Sequence, residues 1–120
     1  MGSIKSYKDL IVWQKAMKLV KVVYIITKKF PKEEIYGLTS QLRRAAVSVA
    51  CNIAEGQARN STGEFKQFLG VSKGSLAETE TLLLLSKDLD LISSIDLEEM
   101  TKVTEEVGKL LNGLLKSLKK

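Results

Sequence analysis

The side chains with the most chemical capacity in this sequence are cations, and they are unevenly placed. Residues 1–60 hold 11 basic and 4 acidic residues and residues 61–120 hold 8 and 10, so the two halves carry +7 and −2 of the net charge of +5. Most of the excess falls on one segment, as Lys8, Lys15, Lys18, Lys21, Lys28, Lys29 and Lys32, with Arg43, Arg44 and Arg59 beyond it. Such a concentration is the electrostatic footprint of a polyanion binder, acting through phosphate contacts and counterion release. The plain alternative is a lysine-rich solubilising face on a basic protein. Lys15, Lys18, Lys21, Arg43, Arg44 and Arg59 are the candidate phosphate contacts. Helical spacing assigns Trp13 and Tyr24 to a core stripe and puts Phe65 and Phe68 on or beside another. Binding is therefore expected to run through phosphates and shape, without base stacking.

The chemistry that is missing narrows the field further. There is no histidine, one cysteine and one proline, which removes histidine-based hydrolysis, cysteine–histidine nucleophile pairs, zinc fingers and disulfide scaffolds. Cys51 has no base to activate it and reads as a small hydrophobe in a reducing compartment. No phosphate-cradling glycine loop occurs, and no carboxylate cluster has metal-ligand spacing. The expectation is a non-enzymatic protein with no cofactor and no metal. The longest apolar runs, Val22 to Ile26 and Leu82 to Leu85, fall far short of the ~20 residues that cross a bilayer, and the N-terminus has no signal-peptide core. A cytoplasmic protein without a membrane partner is expected.

Apolar periodicity then supplies the elements that position these groups, all of them helices. A first helix over about residues 8–29 carries Leu10, Trp13, Met17, Val20, Tyr24 and Thr27 at three- and four-residue steps and is stopped by Pro31. A second, over 38–57, repeats Leu38, Leu42, Ala45, Val49 and Ile53, with Gly56 read as permitting a C-terminal turn. The third, over 62–87, opens on Ser61 and Glu64 at capping-box spacing and runs through Phe65, Leu69, Ser72, Leu76, Thr79 and Leu83. The fourth, over 97–118, is read from Asp96 and Glu99 as its cap, with Ile95 and Met100 as a hydrophobic staple. Short connections between helices of similar length give one domain over residues 1–120, an all-α, up-and-down antiparallel four-helix bundle.

Three features exceed what a plain monomeric bundle needs. On helix one Ile11, Val22, Ile25 and Ile26 project away from Trp13 and Tyr24, a face that suits an interface with another copy or a partner. On helix two Gln41, Arg44, Ser48, Asn52 and Glu55 form a polar line free of lysine, beside Val47, Cys51 and Ala54. It is either a partly buried hydrogen-bond network or a recognition strip. On helix three Gly70 and Gly74, with Ala77, Glu78 and Thr81, form a small-residue face that suits close helix packing, within the bundle or between subunits.

Several separated motifs carry a family resemblance. They are Tyr7-Lys8-Asp9-Leu10 with Val12-Trp13-Gln14-Lys15-Ala16-Met17, Phe30-Pro31, Glu34-Ile35-Tyr36-Gly37-Leu38, and Gln41-Leu42-Arg43-Arg44-Ala45-Ala46-Val47-Ser48-Val49. Asn52-Ile53-Ala54-Glu55-Gly56, Glu64-Phe65 with Phe68-Leu69, and Gly74-Ser75 with Glu78 and Glu80 complete the order. Over about residues 7 to 85 the chain resembles the bacterial 23S rRNA intervening-sequence proteins. The resemblance implies an up-and-down four-helix bundle that assembles as a pentamer, related to the basic, nucleic-acid-binding accessory protein of diversity-generating retroelements. It implies a use in assembly for the second apolar face of helix one, and a role in assembly or helix–helix bonding for Arg43, Arg44, Ser48, Asn52 and Glu55. Glu78 becomes a candidate partner for an arginine. No catalytic residue is carried over. The expected function is that of a homo-oligomer presenting a basic surface to structured RNA or another nucleic acid; the alternative is a protein-interaction scaffold or accessory subunit.

Overall fold

The first turn of the described residues is made by a serine that satisfies its own helix start. Ser6 accepts a hydrogen bond on its hydroxyl from the Lys8 amide, and the Asp9 carboxylate accepts one from the Ser6 amide, closing a capping box on a 3-10 turn over Tyr7–Asp9. Leu10 is extended, so the regular helix begins one residue later. In this computed structural model, which describes residues 6–118, four α-helices follow: α1 (Ile11–Thr27), α2 (Leu38–Gln57), α3 (Thr62–Asp88) and α4 (Ser94–Ser117). A second 3-10 turn, Lys32–Glu34, lies between α1 and α2. The expected bounds hold for α2 and within a residue for α3, while the first helix is shorter than 8–29 at both ends.

Each helix packs on its two neighbours in a square, α1 on α2 and α4, α3 on α2 and α4. Cross-helix contacts set the direction: Gly56 lies against Phe65 and Phe68, the Val49 carbonyl against Ser72, and Ser48 against Ser75. As numbering falls along α2 it rises along α3, so the pair is antiparallel. The fold is the expected all-α four-helix bundle.

The buried stripe of α1 differs from the expected one. Val12, Ala16, Leu19, Val23 and Ile26 are all buried, while Trp13, Met17 and Val20 flank them half-buried and Tyr24 is 40% exposed. The core line therefore runs between the two apolar faces read from the sequence. Ile26, expected at an interface, is in the core; Val22, expected beside it, is half-buried and packed on the core. Only Ile11 and Ile25 of that set stand out into solvent, at 60% and 61% exposure. The cause is that α1 is apolar around most of its circumference and contacts two helices, so period alone does not fix its rotation.

Gly56 is buried inside α2 with no positive φ, so it is not a turn residue. A Cβ built there would lie 2.7 Å from the Phe68 Cβ and 3.0 Å from the Phe65 Cδ1. It is a glycine because α3 approaches too closely for any side chain. Small residues at Ala45, Ala46 and Ala50 line the same buried face of α2. Across it the buried Ser72 hydroxyl donates to the Val49 carbonyl at 2.8 Å. Among the described residues no buried side-chain nitrogen or oxygen lacks a partner.

The α3–α4 corner is closed by backbone chemistry. Leu91 and Asp90 donate to the carbonyls of Ser86 and Lys87, the paired bonds of a Schellman end, and Asp90 takes the left-handed conformation at φ 61° where glycine is usual. The cap of α4 then lies three residues earlier than expected. Ser93 accepts from the Asp96 amide at 3.0 Å and Asp96 accepts from the Ser93 amide, a capping box that starts the helix at Ser94 rather than 97. Ile95 is 74% exposed and makes no staple with the buried Met100. Ile92, in the core, and Leu97, packed against it, occupy the staple positions instead.

Candidate nucleic-acid interface

One arginine of the pair on α2 is positioned by α1. Thr27, buried at the end of α1, donates its hydroxyl to the Val23 carbonyl at 2.7 Å and accepts from Arg43 Nε at 2.9 Å. The Arg43 guanidinium lies 4.5 Å from the centroid of the Tyr24 ring, within cation–π range. One arginine is thus held from two sides by α1. Its chain neighbour Arg44 is exposed. Together they line an open cleft of about 600 Å³ between α1 and α2. The hydroxyl residues Thr39, Ser40 and Ser48 line it with the apolar Ile35 and Val47, and no carboxylate does. Arg44 and Ser48 also line a smaller cleft on the α3 side, where Gln41 and Glu78 meet them.

The α2 end of this cleft is set by a carboxylate cap. Glu34 Oε1 accepts from the Leu38 amide at 3.1 Å, and a Cβ on Gly37 would lie 2.8 Å from that same oxygen. Gly37 therefore leaves room for the cap that fixes where α2 begins. The turn between carries Ile35, on the cleft wall, and Tyr36, 94% exposed.

The six candidate phosphate contacts do not form one patch. Arg43 and Arg44 share the α1–α2 cleft. Lys15 lies on the α4 side of α1, 3.5 Å from Glu106, the one ion pair within 4 Å among the described residues. Lys18 and Lys21 are exposed on α1. Arg59 is at the far end of α2, its guanidinium 4.7 Å from the Phe68 ring centroid. The expected pairing of an arginine with Glu78 is not made: Glu78 shares a cleft with Arg44, without a salt bridge.

The polar line on α2 splits by function. Ser48 and Asn52 are half-buried and bonded: Ser48 Oγ meets Ser75 Oγ of α3 at 2.7 Å, and Asn52 Nδ2 donates to the Ser48 carbonyl and hydroxyl at 2.8 and 3.0 Å. Gln41, Arg44 and Glu55 are exposed. The middle of the line is a helix–helix network and its ends face solvent.

Two groups escaped the sequence reading. Tyr36 sits in a connection where helical periodicity has nothing to say, and its exposure follows from the turn that caps α2. Lys66, Lys73 and Lys116 line a further cleft of about 450 Å³ between α3 and α4 with Leu115 and Asn112. Their half of the chain is net acidic, and that average hides the cluster. Among the described residues the glycines of α3 pack on no neighbour: a Cβ at Gly63, Gly70 or Gly74 would meet no atom within 4 Å. That corrects the expectation of close packing within the bundle at Gly70 and Gly74. Among the described residues no helix is long and apolar enough to cross a membrane.

Comparison with known proteins places the fold. A solved structure from the S23 ribosomal protein family of Bacteroides thetaiotaomicron, a protein of unknown function, is similar at a TM-score of 0.81. It is 24% identical, and the match covers 91% of this chain and 98% of that one. No curated protein matches the sequence. A family described as 23S rRNA-intervening sequence protein matches residues 8–113, nearly the whole bundle and all of the arginine cleft, and this chain belongs to that family.

Proposed function

We propose that this protein is a non-enzymatic, cytoplasmic homo-oligomer, a pentamer, that binds structured RNA through the basic surface of α1 and α2. The observation that carries the reading is exposed positive charge without ion pairs. Arg43 and Arg44 line a cleft that no carboxylate lines, with Glu78 in the neighbouring cleft of Arg44. Among the described residues none of Arg43, Arg44, Lys18 and Lys21 makes an ion pair within 4 Å. Charges held in this way attract a phosphate backbone and release its counterions. Exposed Ile11 and Ile25 supply an apolar surface for self-association.

The test is binding to a structured 23S rRNA fragment across a salt series, with a variant carrying Lys15, Lys18 and Lys21 as glutamine. Log affinity falls with log salt by roughly 0.7 to 0.9 per neutralised phosphate, and the variant flattens the slope. Absence of binding at low salt defeats the reading.

A second reading, a protein-interaction scaffold, has its own observation. The outward face of α3 exposes Val71 (54%), Leu84 (56%) and Leu85 (43%) beside the open glycines. A partner retained by that face, with no affinity for RNA, favours it.

A further inference from the structure

The two arginines of the cleft are prepared differently. Arg43 has its Nε committed to Thr27 and one face to Tyr24, so the plane of its guanidinium is set while its terminal nitrogens have no hydrogen-bond partner among the described residues. A guanidinium held in this way presents a planar fork that matches two oxygens of a phosphate and loses little conformational freedom on binding. Arg44 adds an exposed charge at the same opening, and the Ser40 hydroxyl a further donor. Apolar Ile35 and Val47 also line the cleft, Val47 one helical turn from Arg43 on α2.

Tyr36 follows Ile35 directly and is 94% exposed, the most exposed large hydrophobic side chain of the described residues. It lies in the short segment between the 3-10 turn and α2, anchored on one side by the Glu34 cap. A ring so little buried stabilises nothing in the fold, yet both faces are open for stacking. A duplex offers phosphates to the arginines but keeps its bases inside, so Tyr36 adds nothing there. An unpaired strand offers both groups, a phosphate and a free base face, within one residue's reach.

We propose that the α1–α2 cleft and Tyr36 together bind one unpaired nucleotide of an RNA strand, its phosphate on Arg43 and Arg44 and its base stacked on Tyr36. The inference rests on the nucleic-acid reading above and narrows it from duplex shape to a loop, bulge or single-stranded end. It also gives the protein a base-stacking group that its core aromatics do not supply.

The test compares a short unpaired RNA with an RNA duplex of equal phosphate count, by fluorescence anisotropy, on five proteins: wild type, Tyr36→Ala, Tyr36→Phe, Arg44→Gln and the variant with Lys15, Lys18 and Lys21 changed to glutamine. Tyr36 and Arg44 are both exposed, so their variants keep the helical circular dichroism of the parent. Tyr36→Ala is expected to weaken the unpaired strand by about tenfold and leave the duplex unchanged, with Tyr36→Phe close to wild type. Arg44→Gln weakens binding and lowers the salt slope by about one. If both alanine and glutamine variants bind the unpaired strand like wild type while the triple lysine variant loses affinity, the RNA reading stands and the nucleotide site is overturned. If wild type binds neither RNA, both fall. If Tyr36→Ala instead changes the sedimentation of RNA-free protein, Tyr36 is a self-association residue and the proposal is overturned.

Discussion

Replacing Gly56 with alanine tests whether the bottom of the α2–α3 interface is as tight as its geometry requires. Two effects oppose. Alanine in a helix interior is favoured over glycine by about 1 kcal/mol. Against this, the new methyl would lie 2.7 Å from the Phe68 Cβ and 3.3 Å from the Phe65 carbonyl oxygen, where carbon atoms in contact prefer about 3.5–4.0 Å. Neither atom is the far end of a flexible side chain, so relief needs α3 itself to move by about 0.8 Å or more. Overpacking of that kind costs about 1–3 kcal/mol, and the absence of a rotamer escape places it in the upper part of the range. The net expectation is destabilisation by about 1–2 kcal/mol, read as a lower urea midpoint at unchanged slope. Gly74→Ala is the matched control, because a Cβ there meets nothing within 4 Å. It should stabilise by about 0.5–1 kcal/mol, or roughly 4 °C in Tm per kcal/mol. A Gly56→Ala protein as stable as wild type would refute the close-approach argument. A Gly74→Ala protein that loses stability would mean that a second copy packs against α3.

Three further outcomes follow from the capping and surface geometry. Ser93→Ala should cost about 1 kcal/mol in chemical denaturation, since it removes the hydroxyl that accepts from the Asp96 amide, while Glu99→Ala should change little; the reverse order would restore the later helix start. Asp90→Gly relieves a left-handed non-glycine residue at about 1–2 kcal/mol and gives back about 0.5–1 kcal/mol in backbone entropy. A net gain of about 0.5 kcal/mol should appear as a small rise in Tm, and a fall would show that the Asp90 side chain contributes more than its backbone costs. Changing Ile11 and Ile25 together to glutamate should yield a helical monomer by sedimentation velocity; an unchanged oligomer would clear these two residues of any part in assembly.

What the sequence discloses about this fold is what has a local cause. α2 was legible because the repeat of Leu38, Leu42, Ala45, Val49 and Ile53 is the stripe that the bundle buries. α3 was legible because Ser61 and Glu64 make the bond that their spacing implies, the Ser61 hydroxyl accepting from the Glu64 amide at 3.1 Å. The start of α4 was ambiguous for a chemical reason. Ser93 with Asp96 and Asp96 with Glu99 both fit a capping pattern, and what separates them is burial: Ile92 enters the core while Ile95 does not. That distinction is made by tertiary packing, since Ile92 joins the core cluster and Ile95 does not.

The rotation of α1 and the arginine site share a second kind of illegibility. Trp13, Val22, Tyr24 and Ile26 are equally apolar on a helical wheel, and the neighbouring helices decide which of them is buried. With α1 turned so that Val23 and Ile26 face inward, Tyr24 comes to the α2 side and meets Arg43. The same rotation brings the Thr27 hydroxyl, oriented by its bond to the Val23 carbonyl, to Arg43 Nε across 16 residues of sequence. Tyr24, read from periodicity as core, is thereby a wall of the cleft, and the charge of Arg43 is fixed in direction rather than spread over a mobile side chain. Net charge could point to cations on α1 and α2, but it treats all of them alike. Packing separates Arg43, held from two sides, from Lys18 and Lys21, which are exposed side chains with four rotatable bonds. Diffuse attraction belongs to the lysines and a defined contact to the arginine. Mutating the two classes separately should therefore change different quantities, the salt slope for both but discrimination between unpaired and paired RNA for the cleft alone.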